Sequence, residues 1–115
     1  MKTISRFIDC IKDSVDFIVG GNAQENHDII DAAHPEDMWF HISGQASCHV
    51  ICKVPEGVDK KALLKIAKQG AVICKENSCY KSTKNVEIDY TQVKNVTKLD
   101  KPGAVTIMNA KKMMV

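Results

Sequence analysis

Three residues that can transfer protons or bind a metal ion lie close together in the sequence, namely Asp37, His41 and His49. A carboxylate and two imidazoles are groups that acid–base catalysis and metal-assisted hydrolysis use. No nucleophile or fourth ligand completes the set, and a histidine pair beside a carboxylate more often satisfies a buried hydrogen-bond network. A small metal-dependent hydrolase is therefore the least favoured functional hypothesis, and we predict no catalytic residues.

The five cysteines are odd in number and follow no disulfide-scaffold spacing, which favours a reducing compartment. Cys48, His49 and Cys52 are the closest approach to a zinc motif. In a strand, however, Cys48 and Cys52 stand about 13 Å apart at ~3.3 Å per residue, too far to share one ion. We therefore predict neither a metal site nor a cofactor, and we expect the protein in the cytosol.

Charge divides the chain into two unlike halves. Through Asp59 there are 4 basic and 10 acidic residues, a balance of −6, and from Lys60 onward there are 12 basic and 4 acidic residues, a balance of +8. Such asymmetry favours a polyanionic partner for the second half. The 115-residue length fits one domain, and no apolar run approaches the roughly 20 residues that span a bilayer.

The apolar spacing predicts a single compact α+β domain over residues 1–115, with two to three helices and a mixed, largely antiparallel sheet. Helical spacing of Ile4, Phe7, Ile8 and Ile11 predicts an N-terminal helical extension over 1–14. Asn22 and Glu25 predict a capping box at the start of the next helix. The remaining predicted elements are strands 15–19, 37–42, 49–54, 86–90, 105–108 and 113–115 and helices 22–33 and 60–76, with 37–42 and 49–54 forming a hairpin.

Several positions are candidates for contact with phosphate. The glycine pair before the helix at residue 22 exposes backbone N–H groups to an anion. Lys61, Lys65, Lys68 and Lys75 make a basic stripe on helix 60–76. In the segment 92–101, lysines alternate with apolar residues that can anchor it. The predicted nucleic-acid contacts are Gly20, Gly21, Asn22, His41, His49, Lys81, Lys84, Tyr90, Lys94, Lys98 and Lys101.

Three segments in order resemble the NFACT-R family, the RNA-binding domain of the NFACT proteins. They are Gly20 to Asn26, then Pro35 to His41 with Ser47 to Val50, and finally Val86 to Gly103. The middle segment is similar to the family's Asp-Ile-Trp-Phe-His and Ser-His-Val signatures. Gly21 stands where the family usually has arginine, and Ala23 replaces an asparagine.

The resemblance implies a stand-alone module that binds transfer RNA or ribosomal RNA, with the large ribosomal subunit as a partner. It also implies a link to ribosome-associated quality control and translation. With so few aromatic residues, we expect recognition of structured RNA by backbone and shape. The alternative is a protein–protein interaction adaptor, whose apolar interface would respond little to salt. We expect no membrane association, and the sequence leaves the oligomeric state open.

Overall fold

The fold is built mainly from β-strands, in several of which apolar and polar residues alternate. The structure is a computed structural model that describes residues 1–115. Its elements are, in chain order, β1 Lys2–Ile8, β2 Asp13–Val19, α1 Ala23–Ala32, β3 Met38–Ile42, β4 Val50–Cys52, α2 Lys60–Glu76, β5 Glu87–Gln92, a 3-10 turn Val93–Asn95, β6 Val96–Lys98, β7 Val105–Ile107 and β8 Lys111–Met114. Neither α-helix has the length and apolar character needed to cross a bilayer.

Six strands form the main sheet in the order β1-β2-β4-β3-β5-β8, and β6 pairs with β7 in a separate ribbon. Every pair is antiparallel. The α+β class and the largely antiparallel sheet are confirmed, and no parallel pair makes the sheet mixed. The predicted hairpin is also confirmed, because Met38 pairs with Cys52 and Phe40 with Val50.

The two faces of the main sheet carry different layers because successive side chains of a strand point to opposite sides. Met38, Phe40 and Ile42 contribute to the larger core, which also contains the buried side chains of α2. Trp39 lies in the smaller core with Ile29 and Ile30 of α1, and residues of β6 and β7 pack against that core. The molecule therefore has α2 on one side of the sheet and α1 with the ribbon on the other.

The prediction of a helix over residues 1–14 is wrong, because residues 2–8 form β1 and pair along their whole length with β2. Ile4 and Ile8 suit a strand as well as a helix, since a separation of four residues returns to the same side in both. Phe7 decides between the two. It points away from the core and is 62% exposed, whereas a helical stripe would have buried it.

The C-terminal strands pair with partners that the sequence pattern did not indicate. β7 leaves the main sheet and pairs with β6, which the sequence pattern did not indicate. β8 then adds to the edge of the main sheet beside β5. Asn109, in the left-handed region at φ 54°, lies in the connection between them.

Gly70 lies where α2 packs closely against Phe40 of β3. A Cβ atom at this position would lie 2.3 Å from Phe40 Cζ, and Phe40 is fully buried. Gly70→Ala would gain about 1 kcal/mol of helix propensity. Overpacking against a ring without space to move costs about 1–3 kcal/mol.

We therefore expect Gly70→Ala to lower the free energy of unfolding, measured by chemical denaturation. Lys68→Ala, on the exposed face of the same helix, is the control and should change stability by less than about 0.5 kcal/mol. A more stable Gly70→Ala variant would contradict the close packing of α2 on Phe40.

Candidate nucleic-acid interface

A buried hydrogen bond between Trp39 and His49 lies under the candidate site. The indole Nε1–H of Trp39 donates to His49 Nδ1 at 3.1 Å, and each residue is 1% exposed. Because Nδ1 accepts, the neutral imidazole carries its proton on Nε2. The backbone of Gly103 neighbours the ring and acts to raise the pKa of His49, against the effect of burial. His49 therefore lies between the sheet and the turn at residues 101–104.

Burial keeps this imidazole uncharged. Loss of solvent is the largest cause that lowers the pKa of His49 to about 3, and the positive charges that His41 and His27 can carry contribute to this shift. The neighbouring backbone of Gly103 acts in the opposite direction without restoring the usual pKa. At neutral pH, His49 is thus a structural hydrogen-bonding group with no charge to offer a phosphate.

A second histidine holds the same turn against α1. His27 Nε2 lies 3.1 Å from the carbonyl oxygen of Ala104, so this nitrogen carries the proton and donates. Gly103 has φ +82°, and a Cβ there would lie 3.1 Å from the Cβ of Ala23. Only glycine satisfies both the left-handed backbone and the close approach without strain.

The loop before α1 is attached to the same histidine. The Gly20 N–H donates to the His49 carbonyl at 3.0 Å, and the His49 N–H donates to Asn26 Oδ1 at 3.0 Å. A Cβ on Gly20 would come within 2.3 Å of Asn26 Oδ1. Gly20 is therefore required by packing, and it places Gly21 and Asn22 beside the turn at 101–104.

These attachments leave an open cleft of about 740 Å³ between the loop, the turn and the end of the β3–β4 hairpin. Five of the predicted contact residues line it, although they come from three distant parts of the chain. They are Gly20, Gly21, Asn22, His41 and Lys101. Lys2, Ser47, Cys48 and Asn77 line it as well and were not predicted.

His41 lies at one wall of the cleft and is partly accessible. Its ring stacks on Trp39 with centroids 5.6 Å apart and meets the edge of His49 at 5.0 Å. The predicted hairpin therefore brings His41 and His49 into contact across its two strands. Burial lowers the pKa of His41, while the charge of Asp89 opposes this shift. A neutral ring suits hydrogen bonding or stacking against a ligand.

The lysines of the cleft differ from their neighbours in being unpaired. Neither Lys2 nor Lys101 forms an ion pair, and both are exposed. Lys94 pairs with Glu36 at 3.2 Å, and Lys98 pairs with Asp31. Contact of Lys94 and Lys98 with phosphate stays a prediction, and it requires each ammonium to leave its carboxylate.

The start of α1 forms a variant of the predicted capping box, in which Glu25 reaches the N–H before the N-cap residue Asn22. Asn22 Oδ1 accepts from the Glu25 N–H at 2.9 Å, and Glu25 Oε1 accepts from the Gly21 N–H at 2.8 Å. The Glu25 carboxylate also binds the N-terminal ammonium of Met1, and these contacts lower its pKa. The Gly21 N–H is therefore occupied, so an anion here must rely on other donors of the cleft.

The other predicted contact residues lie elsewhere. Tyr90 stacks on Phe40 with centroids 6.0 Å apart and therefore belongs to the side of the sheet that α2 covers. Lys81 and Lys84 are exposed in the segment that follows α2. Neither they nor Tyr90 line the cleft.

Asp37 is the carboxylate of the hydrolase hypothesis, and in the structure it stabilises the backbone of two loops. Its oxygens accept from the backbone N–H groups of His34 and Val54, and Lys53 forms an ion pair with it at 3.4 Å. No group of three or more histidine, cysteine, aspartate or glutamate residues is arranged to hold a metal ion. The carboxylate and the two histidines thus belong to separate hydrogen-bond networks.

Two residues of this site, Lys2 and His27, escaped sequence reasoning for different reasons. Lys2 fell inside the wrongly predicted N-terminal helix. His27 lies on the apolar side of α1 and is 8% exposed. A polar residue at a helix position spaced with Ile30 was the available signal, but its partner Ala104 is 77 residues away.

Residues 5–109 match the family model described as the NFACT protein RNA binding domain. The chain belongs to this family. The resemblance inferred from the three sequence segments is therefore confirmed, and so is an RNA-binding module as the class of function. The segments that carry the resemblance are those that meet at the cleft.

The chain is also similar to longer proteins. It is 32% identical over 82 residues to coiled-coil domain-containing protein 25 of Danio rerio, covering 70% of this chain and 40% of that protein. For the Mus musculus protein of the same name the values are 31% over 86 residues, 70% and 39%. The chain thus spans about two-fifths of these relatives' length.

A solved structure has the same fold. The C-terminal part of the fibronectin/fibrinogen-binding protein from Streptococcus suis matches with a TM-score of 0.77 at 22% identity. The match covers 88% of this chain and 40% of that one.

Stability should depend on pH through His49. The pKa of folded His49 is about 3 and that of an unfolded histidine is near 6.5, so the unfolded chain binds the proton first. The contribution of His49 to the free energy of unfolding is therefore largest above pH 6.5. It falls as the pH drops toward 3, with a slope of up to about 1.4 kcal/mol per pH unit. Between pH 6.5 and 5 few carboxylates titrate, so this window reports mainly on histidine.

Denaturant titrations across that window should show the slope in the wild type and a smaller one in His49→Gln. His34→Gln removes an exposed histidine and serves as the control, with an unchanged slope. Equal free energies of unfolding at pH 7 and pH 5 in the wild type would show that His49 is not held neutral.

Proposed function

We propose that the cleft between Gly20–Asn22 and the turn at 101–104 holds the phosphate backbone of structured RNA. The observation that supports this most strongly is the convergence of three distant family segments on one cleft whose two lysines have no acidic partner. Unpaired lysines give up no protein contact when they bind phosphate, and they release counterions from the RNA. Family membership supports RNA as the ligand, and the unpaired lysines support the cleft as its binding site.

The shape and chemistry of the cleft favour backbone recognition. Its volume of about 740 Å³ lies in the range of small-ligand sites, so it admits a nucleotide-sized part of a strand rather than a whole helix. His41 is the only aromatic ring among its lining residues, whereas domains that read single-stranded bases stack several of them. A segment of transfer RNA or ribosomal RNA whose backbone geometry is fixed by the RNA fold meets these conditions best.

The family relationship supports a further proposal about the cellular setting. Such a module would act on the large ribosomal subunit or its transfer RNA, in the cytosol, during quality control of translation. The longer relatives carry the same kind of domain on about two-fifths of their length, so the remainder of such a protein would decide which complex the domain joins.

Neutralising the cleft lysines tests the site. Lys2→Gln/Lys101→Gln should lower RNA affinity and reduce the slope of log affinity against log salt by about 2, at ~0.9 per duplex phosphate contact. The loss should be similar for unrelated structured RNAs, because phosphate contacts carry no sequence information. Fluorescence anisotropy over a salt series measures both effects.

Lys94→Gln/Lys98→Gln makes the same change in net charge at two lysines that already have carboxylate partners. We expect this control to reduce the salt slope by less than about 1. If the control removes the larger share of the slope, the RNA lies on the segment 92–98 rather than in the cleft.

A second candidate function, a protein-interaction adaptor, has one observation in its favour. A groove of about 1200 Å³ beside the start of α2 is lined by Met38, Val58, Leu63 and Leu64, and Leu64 is 57% exposed. Glu36 and Lys53 at the same groove are already paired with Lys94 and Asp37. A partner bound there would be lost in Leu64→Glu and would respond weakly to salt, which separates it from RNA.

A further inference from the structure

Helix α2 carries a cationic surface that the cleft does not use. Lys61, Lys65 and Lys68 project from it within three turns, all exposed and none in an ion pair. We call these three residues the lysine ridge. The only carboxylate of the helix is Glu76, and it pairs with Arg6 at 3.6 Å. Nothing within the helix therefore neutralises the ridge.

The placement of these lysines opposes helix stability. Lys60 and Lys61 occupy the first turn, which has no acidic residue, and the positive end of the helix dipole repels them. Lys61 and Lys65 are four residues apart and Lys65 and Lys68 three, spacings at which like charges also repel each other. A merely solvated helix would gain from an acidic residue at any of these positions.

The ridge and the cleft lie apart on the molecule. α2 covers one face of the sheet, while His41 and the turn at 101–104 lie toward the other. Asn77, just past the end of α2, borders the cleft, so the ridge lies about 14–24 Å away along the helix at ~1.5 Å per residue. The ridge and the cleft therefore lie on different faces of the sheet and near opposite ends of α2.

We propose that the lysine ridge is a second phosphate-backbone site, so that one domain bridges two separate segments of duplex RNA. This inference rests on the proposed function of the cleft. Charge complementarity points to a polyanion as the occupant, because three unpaired lysines lie within about 10.5 Å of helix rise, and duplex RNA presents closely spaced phosphates to such a cluster. Leu64 is exposed next to the ridge and can pack against sugar rather than against a second protein core.

The test uses one short RNA duplex in donor-labelled and acceptor-labelled batches, mixed with the full chain. Energy transfer between duplexes should appear at low protein and vanish when unlabelled duplex is in excess. Lys61→Gln/Lys65→Gln/Lys68→Gln should abolish this transfer while weakening binding of a single duplex less than about threefold. Its melting temperature should not fall, because the substitutions relieve repulsion at the helix start.

Lys94→Gln/Lys98→Gln/Lys112→Gln changes net charge equally at paired lysines and should keep the energy transfer. Binding without transfer in the wild type overturns the bridging inference and leaves the cleft proposal standing. Transfer that persists in the ridge variant also overturns it, since a dimer joined through two clefts would behave in that way. Loss of all binding in the ridge variant makes the ridge the main site, and a wild type that binds no duplex contradicts the cleft proposal as well.

Discussion

The proposed site depends on the buried, uncharged imidazole of His49. Polar groups buried without partners are costly, so a fully buried histidine must have each of its hydrogen-bonding groups satisfied. His49 draws its partners from three other segments of the chain. Its ring accepts from Trp39, its N–H donates to Asn26, and its carbonyl accepts from Gly20. No buried side-chain nitrogen or oxygen lacks a partner.

This arrangement explains how a residue can support the proposed RNA site without being exposed to it. His49 is 1% exposed, so a ligand in the cleft meets His41 and the loops instead. His27 bonds to the turn at Ala104. The two buried histidines thus hold Gly20 and the turn at 101–104, which both border the cleft.

Local patterns predicted most of the fold and part of the site. The alternation of Met38, Phe40 and Ile42 indicated the hairpin, and the hairpin brought His41 to His49 as expected. Asn22 and Glu25 indicated the helix start, because a capping box is contained in four residues. The first strand was missed because Ile4 and Ile8 fit two periodicities, and only pairing with β2 decides between them.

Long-range partners were beyond the reach of sequence reasoning. A count of lysines cannot distinguish Lys98, which pairs with Asp31, from Lys101, which has no acidic partner, although they are three residues apart. The charge division of the sequence was real, but in the fold Lys94 and Lys98 of the basic half pair with carboxylates of the acidic half. What remains unpaired lies in the cleft, on α2 and in a few exposed positions.

The most direct test is a map of backbone amide shifts during titration of the isotope-labelled chain with a short structured RNA. We predict that the largest changes occur at Gly20, Gly21, Asn22, His41 and the turn at 101–104, and that they diminish as salt is added. A smaller, separate set is expected on α2 around Lys61–Lys68. Changes concentrated instead around Leu64, Val58 and Met38, with the cleft amides unmoved, would contradict the assignment of the cleft as the RNA site.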